Sequence, residues 1–104
     1  MKRPESVKKI QQVVHGIGPK IEAILYGSEA RGDARSDSDF DLLILVDAEK
    51  VTPEMREQIE NPLYDLWIDQ GIDVSPLIYT RTQWENRPFL TPFYCNVMNE
   101  GIRL

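Results

Sequence analysis

The segment Asp39-Phe40-Asp41-Leu42-Leu43-Ile44-Leu45-Val46 restricts the fold more than any other stretch of the 104-residue chain. It opens polar and ends in an unbroken aliphatic run over residues 42–46. A strand with one wet face alternates apolar and polar side chains, whereas a continuous run fits a strand buried on both faces. The run is the longest apolar stretch in the chain and is far too short to cross a bilayer. The expectation is therefore a central strand over residues 39–46 in a small α/β domain.

The flanking sequence supplies the other elements. Residues 4–15 read as a helix, with Pro4 in the first turn and Val7, Ile10, Val13, Val14 and Ile17 at helical spacing. Gly16 and Gly18-Pro19 stop it. Residues 21–26 read as a strand and residues 27–38 as a polar connector. Thr52-Pro53-Glu54 starts a helix with an N-cap, a proline and an acid in the first turn, and Asn61-Pro62 predicts a kink or two short helices before Gly71. Residues 72–79 form a third strand, with Pro76 arguing for an edge or bulge. Thr82 to Glu85 has capping-box spacing, and Thr91-Pro92 starts a last helix ending before Gly101. The order αβ(loop)βαβα predicts one domain, residues 1–104, with a small mixed sheet and flanking helices in two or three layers.

Composition narrows the function. With 41% hydrophobic residues the chain has enough apolar surface to offset chain entropy, so disorder is not expected. Lys and Arg total 12 against 17 Asp and Glu, a net charge of −5, which disfavours a general grip on nucleic-acid phosphates. Acidic domains still take nucleotides where a metal ion joins carboxylate to phosphate. The first five residues carry charges with no apolar stretch behind them, so neither a secretory leader nor a membrane anchor is expected. Cys95 is the sole cysteine, which excludes an intramolecular disulfide and fits a reducing cytoplasm.

Asp39 and Asp41 lie two apart at the start of a strand, so their carboxylates share one face. Like charges held side by side repel unless a cation joins them, and hard oxygen donors suit Mg²⁺ or Mn²⁺ rather than zinc. The plain alternative is a pair of solvated turn residues. Context argues against it. Gly27-Ser28 follows the first strand directly, where glycine permits close backbone approach and the serine hydroxyl and N–H can hold phosphate oxygens. Asp73 lies among aliphatics at the start of the third strand, so the acids are expected to converge on one sheet edge. An EF-hand fails because Leu42 stands where the loop needs glycine and Ala48 where it needs Glu. A Walker loop fails because Gly32 is followed by Asp33-Ala34.

Gly27-Ser28-Glu29-Ala30-Arg31-Gly32, followed by Ser38-Asp39-Phe40-Asp41-Leu42, resembles the signature of the minimal nucleotidyltransferases of the DNA polymerase beta superfamily. The family pattern is Gly-Ser, ten residues, then Asp-x-Asp; here the ten are residues 29–38. Asp73 matches the family's third acid, and the resemblance extends to the Glu100-Gly101-Ile102 tail. It implies two-metal nucleotidyl transfer: Asp39, Asp41 and Asp73 as metal-binding and catalytic residues, two Mg²⁺ ions, and ATP as substrate. Gly27 and Ser28 would cradle the β- and γ-phosphates, with Arg31 as a further phosphate contact. Asp73 would complete the attacking-side metal site and accept the proton of the incoming hydroxyl. Minimal members of the family accompany a HEPN-domain toxin as its antitoxin, and some place AMP on a tyrosine of that partner. The implied function is AMP transfer from ATP to a protein hydroxyl, within an oligomer or hetero-complex.

A non-catalytic binding module that neutralises its partner by covering it is the alternative of a different class; transfer to a small-molecule hydroxyl is a third. His15 falls near a helix C-terminus, where dipole compensation or simple exposure is its expected role. Trp67, Trp84, Tyr26, Tyr64, Phe89, Phe93 and Tyr94 are expected in the core or an interface, and Cys95 as a small buried residue.

Overall fold

Residues 40–46 form the spine of a four-stranded mixed sheet. The computed structural model describes residues 2–86 and 90–104. Its elements are α1 (Pro4–Ile17), β1 (Ile21–Tyr26), α2 (Ser28–Arg31), β2 (Phe40–Val46), α3 (Pro53–Gln70), β3 (Val74–Thr80), α4 (Arg81–Glu85), α5 (Pro92–Glu100) and β4 (Ile102–Arg103). The sheet order is β3-β2-β1-β4. β2 runs antiparallel to β1, with Tyr26 opposite Asp41, and parallel to β3, with Phe40 opposite Val74.

The continuous aliphatic run is explained by cover on both faces. Phe40, Leu42, Ile44 and Val46 point to one side, where Val7, Ile10 and Val14 of α1 and Ile59, Leu63 and Leu66 of α3 pack on them. Leu43 and Leu45 point to the other, against Ile24, Trp84 and Val97, with Tyr26, Tyr79 and Tyr94 beside them. Period-two alternation thus feeds two cores, and the layers number three. Asp39 and Asp41 share the parity of Leu43 and Leu45, so they belong to the face covered by α4 and α5.

Several boundaries differ from the expectation. α3 runs through Pro62 as one helix of 18 residues. The proline removes one hydrogen bond to the carbonyl of Gln58, and that residue is exposed, where water can serve the carbonyl. β3 begins at Val74 rather than Ile72, because the Ile72 N–H is engaged by the Leu66 carbonyl (3.3 Å) in the turn that closes α3. Pro76 does lie on an edge strand. The capping box sits two residues earlier than the spacing suggested. Thr80 Oγ1 accepts from the Gln83 N–H (3.0 Å), and Gln83 Oε1 accepts from the Thr80 N–H (3.1 Å). Both threonine frames fit the pattern; β3 extends to Thr80, which leaves Thr82 inside the helix. Thr80 is fully buried, so Thr80→Ala should cost about 1 kcal/mol, seen as a melting temperature lower by roughly 4–8 °C.

Two elements were not anticipated. The polar connector contains α2, and the tail forms β4, pairing Ile102 with Leu25. A Cβ on Gly101 would collide with the Val97 carbonyl and Ile24, so only glycine lets the chain turn from α5 onto β1 this closely. His15 is exposed and its Nε2 lies 2.8 Å from the Leu104 carbonyl. Among the described residues no helix is long and apolar enough to cross a membrane.

Candidate active site

The end of β1 delivers the chain to the site. Tyr26, its last residue, pairs with Asp41, and Gly27 follows with φ 77°. That backbone region favours glycine, and a Cβ there would overlap Asp41 Oδ2. The Asp41 carboxylate therefore lies directly over the Gly27 α-carbon. Gly27→Ala meets both obstacles at once and should destabilise the fold by roughly 1–3 kcal/mol while displacing Asp41. Chemical denaturation and crystal structure of the variant would check both. Ser28 opens α2 and Arg31 closes it. Arg31 is exposed, within 3.4 Å of both Asp33 and Glu100, and its charge draws the Asp41 carboxyl down.

Asp39 immediately precedes β2 and Asp73 immediately precedes β3, and the parallel register sets them side by side. The Phe40 N–H donates to the Asp73 carbonyl (2.9 Å), which ties the two strand openings together. Asp39 Oδ2 accepts from the Ser75 hydroxyl at 2.9 Å. Burial pushes the Asp41 carboxyl up, and the charge of Asp39 pushes it further, against the pull of Arg31. Asp73 is likewise raised, first by burial, then by the charge of Asp39 and a hydrogen bond with it. The three sequence-predicted acids are thus within electrostatic reach, with Asp39 acting on both others. Among the described residues no three His, Cys, Asp or Glu side chains close around one point as a preformed metal cage. Mg²⁺ is commonly held by one or two carboxylates, with substrate phosphates and water completing the shell, and hard carboxylates set this close together fit such an ion.

Two cavities flank the acids. One, about 420 Å³, is lined by Gly27, Ser28, Arg31, Asp41, Phe93 and Asn96. The other, about 390 Å³, is lined by Glu60, Tyr64, Trp67, Asp73, Val74 and Pro76. Tyr26 borders the first; its hydroxyl is pushed up to about 12 by burial, by Asp41 and by Tyr79, so it remains protonated there.

A brace behind the site has no counterpart among the sequence-based expectations. Glu29, the residue after Ser28, is fully buried. It accepts from the Lys2 N–H (2.6 Å), the Arg3 N–H (2.8 Å) and Arg3 Nε (2.7 Å). The Arg3 guanidinium also donates to the Ser38 carbonyl (2.7 Å) and lies over the Phe40 ring, 3.8 Å from its centroid. Arg3 therefore touches both neighbours of Asp39 while anchored to the residue beside Ser28. No local motif signals such a contact, because the partners are 26 residues apart.

The aromatics divide. Trp84 is buried against Tyr79 and Tyr94. Tyr64 and Trp67 are exposed, and Cys95 is only half-buried. Phe89 lies outside the described residues.

Residues 7–91 match the family model described as nucleotidyltransferase domain. A protein of Methanocaldococcus jannaschii, named as a candidate protein adenylyltransferase, is 38% identical over 81 residues, which span 78% of this chain and 75% of that one. Two solved structures share the fold with TM-score 0.61 at 20% identity, over 92% of this chain and 69% of theirs. One is a toxin–antitoxin with AMP-PNP and the other a mutant form of the toxin–antitoxin MntA–HpeT.

Proposed function

The chain belongs to the nucleotidyltransferase domain family, and on that premise we propose that it moves AMP from ATP to a hydroxyl of a partner protein, a HEPN-type toxin. The observation that carries this reading is the set of three carboxylates on one sheet edge, with Gly27 pressed beneath Asp41 and a cavity on either side. The relative named as a candidate protein adenylyltransferase supports a protein acceptor, and the toxin–antitoxin neighbours support the kind of partner.

In this reading the triphosphate enters the cavity of Gly27, Ser28 and Arg31. Asp39, Asp41 and Asp73 would hold two Mg²⁺ ions, which would supply positive charge to offset the negative charge developing on the reacting oxygens. The acceptor hydroxyl oxygen attacks the α-phosphorus, and a new oxygen–phosphorus bond forms. The bond from the α-phosphorus to the oxygen bridging it to the β-phosphorus breaks, and pyrophosphate leaves with that electron pair. The hydroxyl proton passes to the Asp73 carboxylate. Arg31 lends positive charge to the triphosphate; it is held by two long, exposed ion pairs that a phosphate can replace.

Calorimetric titration with ATP and Mg²⁺ tests the nucleotide part. Wild type should bind, and Arg31→Ala should weaken binding by roughly tenfold, the equivalent of one charge-assisted contact. Unchanged affinity in that variant would remove Arg31 from the site.

A further inference from the structure

The outer face of α3 carries a feature that nucleotide binding does not use. Glu60, Tyr64, Trp67 and Ile68 follow three- and four-residue spacing, so they share one side of the helix, away from the buried Ile59, Leu63 and Leu66. Tyr64, Trp67 and Ile68 are 59%, 49% and 57% exposed, which puts three large apolar side chains together in water. The two rings are tilted, 5.8 Å apart, and border the 390 Å³ cavity that reaches Asp73. Its charged lining residues are Glu60 and Asp73, both acidic. The cavity on the other side of the acids contains Arg31. That cavity sets Arg31 beside its own acids Asp41 and Glu100, whereas this one offers an anion no cation at all.

We infer that the acceptor protein docks here, by a segment with an apolar side chain next to an arginine or lysine. The apolar side chain fills the cavity that Tyr64 and Trp67 border. The cation meets Glu60 and the ring faces, which attract positive charge through the aromatic quadrupole. Because Asp73 lines the same cavity, a residue adjoining the docked side chain arrives at the acid cluster from the side opposite the triphosphate. That the docked protein is the acceptor, and that it approaches the acids this way, rests on the nucleotidyl-transfer reading; the docking of a basic, apolar segment does not.

The test keeps the two apart by omitting ATP and metal and using Asp39→Asn protein, in which transfer is disabled. The probe is a fluorescein-labelled, amidated peptide Arg-Leu-Phe-Arg, with Glu-Leu-Phe-Glu as its acidic counterpart, followed by fluorescence anisotropy. The basic peptide should bind saturably and the acidic one should not. Trp67→Ala and Glu60→Lys, both added to the Asp39→Asn background, should each weaken binding by roughly tenfold or more. Circular dichroism of each variant confirms that the fold is intact. Equal binding of the two peptides, no binding of the basic one, or binding indifferent to both substitutions would overturn the inference. Displacement of the basic peptide by ATP alone, with Trp67→Ala weakening ATP, would reassign the cavity to the nucleotide.

Discussion

Asp39→Asn should reduce nucleotidyl transfer by at least roughly 10²–10³-fold, the usual loss when a group that stabilises transition-state charge is removed. The fold should survive, because Asp39 is exposed and the hydrogen bond it takes from the Ser75 hydroxyl can be accepted equally by an asparagine oxygen. The substitution removes the charge that raises both Asp41 and Asp73. Steady-state rates with saturating ATP and Mg²⁺, alongside thermal melting of the same preparations, measure the two effects separately. A large fall in rate with an unchanged melting temperature is the expected pattern. Activity within a few-fold of wild type would take Asp39 out of the reaction.

Glu29→Ala should have the opposite profile, a large loss of stability. The side chain is fully buried and accepts three hydrogen bonds from Lys2 and Arg3. Removing it leaves the Arg3 guanidinium and two backbone N–H groups without their acceptor, and breaking one partner of a buried ion pair costs about 3–5 kcal/mol. For a domain of this size that lowers the melting temperature by more than roughly 12 °C. The pH dependence carries the same signature. Burial acts to raise the Glu29 carboxyl, but hydrogen bonds from Arg3 and Lys2, with the Arg3 charge, outweigh it and hold the group below the usual glutamate value. A depressed folded pKa stabilises the fold above the unfolded pKa, and that contribution is lost as pH falls through the folded one. Wild type should therefore lose stability on acidification in a limb that Glu29→Gln lacks. Urea denaturation of both proteins from neutral to acid pH measures it. Coincident curves would show that the brace contributes nothing.

Arg3 joins Glu29 to Ser38 and Phe40, the two neighbours of Asp39, so the brace fixes the phosphate-side turn relative to the acid-bearing strand opening. This part of the site was invisible in the sequence. Periodicity and turn residues report local structure, and they carry no information on which distant acid a terminal arginine meets. The central strand was legible because aliphatic continuity has one physical reading, burial on both faces. The Asp39–Asp41 pair was legible because residues two apart on a strand share a face. The placing of Asp73 beside Asp39 needed the parallel register of β2 and β3, which hydrophobic pattern alone does not set. Helix α2 and strand β4 escaped because elements of four and two residues are held by tertiary contacts rather than by pattern. The exposure of Tyr64 and Trp67 is likewise a property of how α3 sits on the sheet. The resemblance to the minimal nucleotidyltransferases, drawn from Gly27-Ser28 and Asp39-x-Asp41, agrees with the family match over residues 7–91.

The most direct measurement of the central claim is label transfer from ATP carrying the label on either the α- or the γ-phosphate, with Mg²⁺ and the co-purified partner protein. Nucleotidyl transfer predicts that only the α-label becomes covalently attached to protein, with one pyrophosphate released for each group attached. Attachment of the γ-label, or no attachment of either while the two proteins still form a complex, would contradict it, and the second result would leave a domain that neutralises its partner by binding alone.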